Sequence, residues 1–317
     1  MDEAATGPVR PQARCTICNG TSDDTVLREN GYEGRACACG TIYMTPEPSA
    51  EDIDRTVDGH PEAFFAWPAA LKARWLRRHT SGRRLLEIGC GTGSFLEAAH
   101  GVGFQVEGIE AETTRAASAA RRLNSEVRAG FFEDLEAEPR FDVVYHCDML
   151  PHFERPAAAL QLMVRFLRPG GVLAFEVGLT AELSRFWYSW IGEIGYPQHR
   201  WLYSRRSLRR LLHETGLRIE HIKIFDLSAW VAANHGLRAA ARVVRKLTRR
   251  RRMALRDSGR GDPGRGGQAL LRFEKFLVYR VGAWLPRLGP ATALVIARPM
   301  EDIRNESLRV VGRRRRD

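Results

Sequence analysis

The middle of the chain alternates short apolar runs with segments in which apolar residues recur at helical spacing. A short apolar run between turn residues is typical of a buried strand, whereas apolar positions at helical spacing predict an amphipathic helix. These patterns predict strands at 84–88, 104–109, 141–146 and 171–177, and helices at 94–100, 112–123 and 156–167. Repeated strand–helix units predict a parallel sheet with helices on both faces.

The alternation continues toward the C-terminus with one interruption. A helix at 208–215 is followed by Gly216, a common helix terminator, and then by a strand at 218–225. A long insert separates that strand from the last predicted strand, 293–297. We therefore predict the α/β fold class: a Rossmann-like, doubly wound, seven-stranded sheet with an N-terminal zinc-ribbon-like module and a helical basic insert before the last strand.

Four cysteines near the N-terminus form two close pairs, Cys15 with Cys18 and Cys37 with Cys39. Four thiolates in pairs on glycine-containing turns suit tetrahedral Zn²⁺, and four protein ligands make such a site structural. The second pair has one residue between its cysteines, which is tighter than the usual knuckle. Three interpretations stay open: the turn tightens, a nearby group such as His60 completes the site, or the site no longer binds metal.

The most specific segment of the chain is the glycine-rich turn after the first of these strands, from Gly89 to Gly93. A strand that feeds such a turn lets backbone N–H groups and the positive end of the next helix approach a ligand. Glu110 ends the second strand, where a carboxylate accepts hydrogen bonds from both hydroxyls of a ribose. Two further segments complete the pattern, Phe131 to Leu135 after the third strand and Leu167 to Gly171 before the fifth.

Together these residues resemble the class I S-adenosylmethionine-dependent methyltransferases. The glycines follow the G-x-G-x-G pattern of that family rather than the G-x-G-x-x-G of nicotinamide enzymes, and Phe141 to Pro156 is similar to its fourth-strand segment. The cysteine pairs followed by Pro46 and Pro48 resemble the branch of the family that carries an N-terminal zinc ribbon. The resemblance covers about residues 82–225 and 291–298, and it implies S-adenosylmethionine as the cofactor.

The resemblance also implies roles for individual residues. The three glycines hold the methionine end of the cofactor and Glu110 holds its ribose. Glu87 either meets the amino group of the methionine or orients the turn. Phe131 stands where many relatives have Asp, so the adenine is expected to be held by stacking and backbone groups. The predicted cofactor residues are Glu87, Gly89, Cys90, Gly91, Gly93, Glu110, Phe132, Asp134 and His146, with Cys90 a packing residue inside the turn.

Two histidines, His152 and His199, are the candidate catalytic residues. Methyl transfer from a sulfonium is an in-line displacement, in which the enzyme aligns the reactants and excludes water. A hydroxyl acceptor also benefits from a base that titrates near neutral pH, which suits histidine. His152 follows the fourth strand at the edge that faces the ligand crevice, and His199 lies in the segment that usually roofs the pocket. The alternative for each is a hydrogen-bonded structural histidine.

The positive charge of the chain is concentrated near its C-terminus. The 317 residues carry a net charge of +11, from 49 Lys and Arg against 38 Asp and Glu. Residues 238–265 contribute +9 and residues 272–317 contribute +6, which leaves the first 237 residues at about −4. The main body is therefore mildly acidic, and the basic character belongs to the insert and the tail.

The insert contains a predicted basic amphipathic helix at 237–253 and a second apolar helix at 269–285. Helices of this kind bind anionic membrane surfaces, so such a surface is one predicted partner. A solvated charged insert that covers the pocket is an equal alternative. The first 14 residues lack a signal-peptide core and no apolar run could span a membrane, so the predicted location is cytoplasmic with peripheral membrane association.

The predicted function is methyl transfer from S-adenosylmethionine to a small-molecule acceptor of natural-product, sugar or lipid-linked type, with a hydroxyl favoured over carbon or nitrogen. The alternatives are an RNA methyltransferase that uses the ribbon and the Arg-rich insert, and a non-catalytic S-adenosylmethionine-binding module. Nucleic acid is the less favoured partner, because the ribbon has few basic residues and the fourth strand ends in His146-Cys-Asp-Met rather than the loop used on exocyclic base nitrogens.

The chain is thus predicted to have five parts. They are a zinc-ribbon-like module at 1–45, connecting or capping helices at 46–80, the cofactor-binding domain at 81–228 plus 291–299, the basic amphipathic insert at 229–290, and a basic tail at 300–317.

Overall fold

A computed structural model describes residues 13–49, 51–52, 63–123, 126–184, 187–188, 194–226 and 291–300. Within these residues, a small four-stranded sheet lies beside a seven-stranded mixed sheet that is flanked by helices. The predicted insert, the tail beyond residue 300 and His60 lie outside the described residues, so the membrane prediction stays a prediction.

The small sheet begins with an antiparallel meander. Its strands are β1 (Thr25–Glu29), β2 (Tyr32–Ala36) and β3 (Ile42–Thr45). Asn30 and Gly31 connect β1 to β2 with φ angles of 51° and 83°, the left-handed geometry that two-residue hairpins favour. A fourth strand, β9 (Trp201–Leu202), comes from much later in the chain and pairs antiparallel with β3. The N-terminal sheet is therefore completed by a segment of the larger domain.

The larger domain follows the predicted alternation of strands and helices. Its elements are α1 (Ala63–His79), β4 (Arg84–Ile88), α2 (Ser94–Gly101), β5 (Gln105–Glu110), α3 (Thr113–Leu123), β6 (Val127–Ala129), β7 (Phe141–Cys147), α4 (Pro156–Arg165), β8 (Leu167–Gly178), α5 (Arg205–Glu214), β10 (Leu217–Asp226) and β11 (Ala291–Pro299). The strand order in the sheet is β10-β11-β8-β7-β4-β5-β6. The predicted seven-stranded, Rossmann-like sheet is confirmed.

The direction of the last strand differs from the parallel sheet that the strand–helix pattern predicts. Strand β11 lies between β8 and β10 and runs antiparallel to both, whereas the remaining neighbours pair in parallel. Its first seven residues are buried, as in a parallel central strand. Burial on both faces produces the same apolar run for either direction, so the sequence pattern could not reveal the reversal.

Successive residues of the central strands pack on opposite faces of the sheet. In β4, Leu85 belongs to the core beneath α1 and α2, and Leu86 belongs to the core on the other face. In β7, Val143 and Val144 divide in the same way. This two-residue period places both cores against helices and leaves the carboxyl ends of the parallel strands at one common edge. Among the described helices, none is long and apolar enough to cross a membrane.

Candidate active site

The glycine turn lies at the carboxyl end of β4 and is tied to β5. The N–H groups of Gly89 and Cys90 both donate to the carbonyl oxygen of Ile109, at 2.8 and 3.1 Å. Gly89 has φ +71°, and a Cβ at this position would lie 2.2 Å from the Sδ atom of Met149. Gly91 has φ +55°, but a Cβ there would meet nothing within 4 Å. The turn is therefore packed on its Gly89 side and leaves open space beside Gly91.

Glu110 holds the same turn from the end of β5. Its side chain is buried, and its Oε2 atom accepts a hydrogen bond of 2.8 Å from the N–H of Gly91. The Oε1 atom accepts from the N–H of Glu112 at 3.0 Å and lies 3.3 Å from a guanidinium nitrogen of Arg115. A carboxylate has about four acceptor positions, so this arrangement leaves capacity for a ligand hydroxyl.

Glu87 supplies an unpaired acceptor beside the turn. It is 3% exposed, and its Oε2 atom has no hydrogen-bond partner among the described residues. Burial raises the pKa of this carboxyl well above its ordinary value, although the positive charge of Lys72 opposes the shift. A buried acceptor without a partner is costly, and an ammonium group would satisfy it. The residues at the turn thus fit the methionine end of S-adenosylmethionine.

The segment after β6 contains the predicted adenine-binding residues. The N–H of Gly130 donates to the carbonyl oxygen of Glu110, which places this segment next to the ribose candidate. Phe131 is 63% exposed, whereas Phe132 is buried and meets Phe153 edge to face at 5.7 Å between ring centroids. Asp134 is exposed. Of the two aromatic rings, Phe131 is the one that solvent, and hence a ligand, can reach.

Besides Phe132, two further predicted cofactor residues are enclosed by protein. Cys90 is buried in the core, and burial raises the pKa of its thiol. The ring of His146 is fully buried and stacks on Phe175, with ring centroids 5.0 Å apart and planes 8° apart. Burial lowers the pKa of His146 to about 3, and neither ring nitrogen has a hydrogen-bond partner within the described part of the chain. His146 is therefore neutral at physiological pH.

The two candidate catalytic histidines lie in contact with each other. The rings of His152 and His199 meet edge to face, with centroids 4.7 Å apart. The backbone of Gln198 beside His152 favours the protonated ring and so opposes the lowering of its pKa. The His152 ring is solvent-accessible, yet the surrounding protein removes part of its hydration and, together with the charge of His199, lowers its pKa. The structure thus brings together two residues that are 47 positions apart in the sequence.

The structure adds charged residues that the sequence analysis did not single out. Lys72 of α1 forms a buried ion pair with Glu176 of β8. The Sγ atom of Cys147 lies 3.6 Å from the Lys72 Nζ atom and 3.6 Å from a Glu176 carboxylate oxygen. Asp148 follows at the end of β7, where burial raises its pKa and the charge of His199 opposes the rise. The carboxyl edge at β7 and β8 is therefore polar and enclosed.

The sequence contained a signal for this pair. Lys72 falls on the apolar stripe of α1 formed by Ala69, Ala73 and Leu76, and Glu176 interrupts the apolar run 172–177 of β8. A charged residue on an apolar face is rarely buried unless it is paired. The partner, however, depends on the three-dimensional fold.

The four predicted zinc ligands form one cluster. The sulfur atoms of Cys15 and Cys39 are 3.5 Å apart, those of Cys18 and Cys37 are 3.2 Å apart, and all four lie within 4.8 Å of one another. Tetrahedral zinc with Zn–S bonds of about 2.3 Å needs sulfur separations of about 3.8 Å. The tight second turn thus brings both of its sulfurs into reach, and four cysteines suffice for a tetrahedral shell.

The fold and the cofactor site define the class of the protein. The sheet has six parallel strands and a reversed seventh, with a glycine turn at its carboxyl edge and an acid on the next strand. This combination is typical of the class I S-adenosylmethionine-dependent methyltransferases. The sequence model of the methyltransferase domain family matches residues 62–222, which is just over half of the chain. The chain belongs to this family, and the resemblance inferred from the sequence is confirmed.

Similar proteins agree with this assignment. A ubiquinone biosynthesis O-methyltransferase of Thiobacillus denitrificans is 32% identical over 115 residues, which cover 33% of this chain and 50% of that protein. The protein of the same name from Alkalilimnicola ehrlichii is 37% identical over 104 residues, 30% of this chain and 41% of that protein. The chain spans about half of the length of the curated relatives that it matches.

Among solved structures, a putative sarcosine dimethylglycine methyltransferase from Galdieria sulphuraria aligns with a TM-score of 0.48 and 16% identity. The alignment covers 73% of this chain and 85% of that one.

Proposed function

We propose that this protein transfers the methyl group of S-adenosylmethionine to a hydroxyl group of a small-molecule acceptor. The observation that carries the proposal is the contact between His152 and His199 at the sheet edge that also holds the glycine turn. The relatives whose names contain O-methyltransferase support a hydroxyl acceptor. When bound, S-adenosylmethionine supplies an electrophilic methyl group on a positively charged sulfur.

Different residues of the cofactor site bind different parts of S-adenosylmethionine. The open backbone at Gly91 and the unpaired oxygen of Glu87 receive the amino-acid end of the cofactor, and the remaining acceptor capacity of Glu110 receives a ribose hydroxyl. Fixing the cofactor in this way sets the direction from which an acceptor must approach, which is the main contribution that an enzyme makes to a displacement reaction.

The histidine pair supplies the base. A neutral histidine ring carries a proton on one nitrogen, which leaves the other nitrogen of His152 as a proton acceptor. The lowered pKa keeps the ring neutral at physiological pH, so this nitrogen is free to accept the proton of an acceptor hydroxyl. His199, in contact with His152, orients the acceptor or relays the proton. The proposed acceptor is of natural-product, sugar or lipid-linked type.

The N-terminal cysteine cluster is proposed to hold a structural zinc ion. Its four sulfur atoms have the number, softness and separation that tetrahedral Zn²⁺ requires, and four protein ligands leave no position for a reacting water. The ion would fix the small sheet, and the reaction itself would take place at the histidine pair.

Substitution of the histidines tests the proposed function. We expect His152→Gln and His199→Gln each to lower kcat by roughly 10²–10⁴, because a positioned base contributes that much, while the affinity for S-adenosylmethionine stays unchanged. Transfer of labelled methyl groups to a panel of phenols, sugars, lipid-linked acceptors and RNA measures kcat, and calorimetry measures affinity. His100→Gln is the matched control, because His100 is exposed at the end of α2.

Three results would contradict the proposal. Full activity in both histidine variants would remove the base from this site. Methyl transfer to RNA with none to the small acceptors would favour the RNA alternative. Tight cofactor binding without transfer to any acceptor would favour a non-catalytic module.

A further inference from the structure

The segment that carries His199 is held between two parts of the molecule. We refer to residues 194–204 as the clip. On one side, the N–H of Met44 in β3 donates to the carbonyl oxygen of Arg200 at 3.0 Å. On the other side, the N–H of Arg200 donates to the carbonyl oxygen of Pro151, in the turn after β7, at 2.8 Å. A single clip residue therefore links the N-terminal sheet to the loop that carries His152.

The start of the clip is bound by one carboxylate, that of Glu29 at the end of β1. The Oε2 atom of Glu29 accepts from the N–H groups of Ile194 at 3.1 Å, Gly195 at 3.2 Å and Tyr196 at 3.4 Å. The neighbouring residue, Asn30, donates from its side-chain amide to the carbonyl oxygen of Tyr196 at 2.8 Å. Three consecutive backbone donors thus point at the same anionic side chain, which makes these hydrogen bonds stronger than neutral ones.

The residues bound by Glu29 form one turn with His199. The N–H of His199 donates to the carbonyl oxygen of Gly195 at 3.0 Å, which closes the turn. Gly195 has φ +101°, and a Cβ built there would lie 3.3 Å from the Nδ1 atom of His199. The ring of His199 therefore rests against the backbone that Glu29 fixes, and the position of this backbone decides where the ring lies relative to His152.

We propose that Glu29 is a positioning residue for His199, and that the N-terminal sheet is thereby part of the active site rather than an independent binding module. This inference rests on the proposed function of the histidine pair. Glu29 does not touch the acceptor. It binds the backbone N–H groups of 194–196, and the carbonyl oxygen of Gly195 in turn accepts a hydrogen bond from the N–H of His199.

The clip has other attachments, so the loss of Glu29 affects its first turn selectively. Strand β9 still pairs with β3, and the indole N–H of Trp201 still donates to the carbonyl oxygen of Phe153 at 2.7 Å. Tyr203 is fully buried, and its hydroxyl donates to the carbonyl oxygen of Leu150. The C-terminal half of the clip therefore stays docked in a Glu29 variant, while residues 194–196 lose their backbone hydrogen bonds to Glu29 and keep only the one from Asn30.

The experiment compares Glu29→Ala, Glu29→Gln and Glu33→Ala in the full chain. Glu33 is the matched control, because its carboxylate pairs with Arg28 and Arg35 within the N-terminal sheet. We expect Glu29→Ala to lower kcat by about tenfold to a hundredfold, since a small misplacement of a reacting group has effects of this size. The affinity for S-adenosylmethionine should not change. Glu29→Gln, which keeps an acceptor oxygen, should recover most of the loss, and Glu33→Ala should behave as the unmodified protein.

A spectroscopic measurement makes the test independent of turnover. In the unmodified protein, the ring protons of His152 and His199 should show a nuclear Overhauser contact, because the centroids are 4.7 Å apart. This contact should disappear in Glu29→Ala and persist in Glu29→Gln and Glu33→Ala.

The outcomes separate this inference from the function on which it rests. Retention of both kcat and the ring contact in Glu29→Ala would overturn the positioning role. Loss of the ring contact in that variant would support it, even if no hydroxyl acceptor were methylated by the unmodified protein, in which case only the proposed function would fail. Equal losses in Glu29→Ala and Glu33→Ala would also overturn it, because the effect would then reflect general damage to the sheet.

Discussion

The two halves of the candidate active site are assembled in different ways. The cofactor half, residues 84–134, is built from neighbouring pieces of chain, and the hydrogen bond from Gly91 to Glu110 spans 19 residues. The acceptor half comprises Lys72, the end of β7 with its following turn, Glu176, the clip and the N-terminal sheet. Its contacts are distant in sequence: Glu29 and Gly195 are 166 residues apart, and Lys72 and Cys147 are 75 apart.

This difference has a physical consequence. Closing a short segment costs little conformational entropy, so a local motif such as the glycine turn forms with few supporting contacts. Contacts between distant segments form only when the rest of the fold has brought them together. The acceptor half should therefore depend on the integrity of the N-terminal sheet, whereas the cofactor half should not.

The largest expected effect comes from removing the proposed zinc ion, which would separate the two halves. Structural zinc contributes an apparent ~10–16 kcal/mol in small zinc-dependent folds, so its loss should disrupt the N-terminal sheet. We expect Cys18→Ala to abolish zinc binding and to reduce methyl transfer by more than about tenfold through displacement of the clip. Cofactor affinity should be preserved, because β4, β5 and α3 do not contribute to that sheet.

Metal analysis measures the bound zinc, calorimetry measures the affinity for S-adenosylmethionine, and an activity assay measures the rate of methyl transfer. Thr16→Ala is the control, because Thr16 is exposed between two of the cysteines and leaves all four sulfurs in place. If Cys18→Ala weakened cofactor binding as much as methyl transfer, the two halves would not be independent. If the unmodified protein were fully active without bound zinc, the proposal of a structural zinc ion would be wrong.

A smaller effect is expected within the cofactor half. Glu110→Ala removes a carboxylate that accepts from the backbone of Gly91 and has capacity for a ribose hydroxyl. Hydrogen bonds to a charged group are worth roughly 1.5–3 kcal/mol, so the affinity for S-adenosylmethionine should fall by tenfold or more. The ring contact between His152 and His199 should remain, because the hydrogen bonds that hold the clip come from Glu29, Asn30, Met44 and Pro151 and none comes from Glu110.

Calorimetry tests the affinity, with Glu112→Ala as the control. Glu112 is a neighbouring acid whose carboxylate accepts from Thr114 and Arg115 at the start of α3, away from the turn. Unchanged affinity in Glu110→Ala would remove this residue from the ribose role.

The same contrast explains what the sequence could predict. Strands β4, β5, β7 and β8, the glycine turn and Glu110 follow from local patterns. The structure has β4, β5 and β7 within one residue of the predicted bounds, whereas β8 begins four residues earlier than predicted. The cysteine cluster also follows from short spacings, and the tight second pair proved compatible with it.

Features that depend on distant contacts could not be predicted. The reversal of β11, the pairing of β9 with β3 and the ion pair of Lys72 with Glu176 each join segments whose local patterns say nothing about their partners. His152 and His199 were recognised one at a time from their chemistry, and their contact with each other required the fold. Sequence patterns therefore describe the cofactor half more completely than the acceptor half.

The smallest expected effect concerns His146, which the resemblance assigns to the cofactor half and which the structure encloses between strands. Its pKa is lowered from 6.5 to about 3, so below pH 6.5 the unfolded chain binds a proton that the folded protein does not. The stability that this group contributes is therefore present above its ordinary pKa and is lost as the pH falls toward 3. At a pH one unit below the ordinary pKa of histidine, the free energy of unfolding of the unmodified protein should be lower by ~1.4 kcal/mol through this residue than it is well above that pKa.

His146→Phe should remove this pH dependence, because phenylalanine keeps the stacking on Phe175 and the ring nitrogens of His146 have no hydrogen-bond partner in the described residues to lose. Urea unfolding of both proteins at neutral pH and near pH 5.5 gives the change in the free energy of unfolding with pH. Calorimetry gives the affinity for S-adenosylmethionine. If the free energy of unfolding changed with pH in the same way in both proteins, His146 would have its ordinary pKa in the folded protein and would therefore be accessible to solvent. A weaker affinity in the variant would instead place His146 at the cofactor, and the boundary between the two halves would then lie beyond β7.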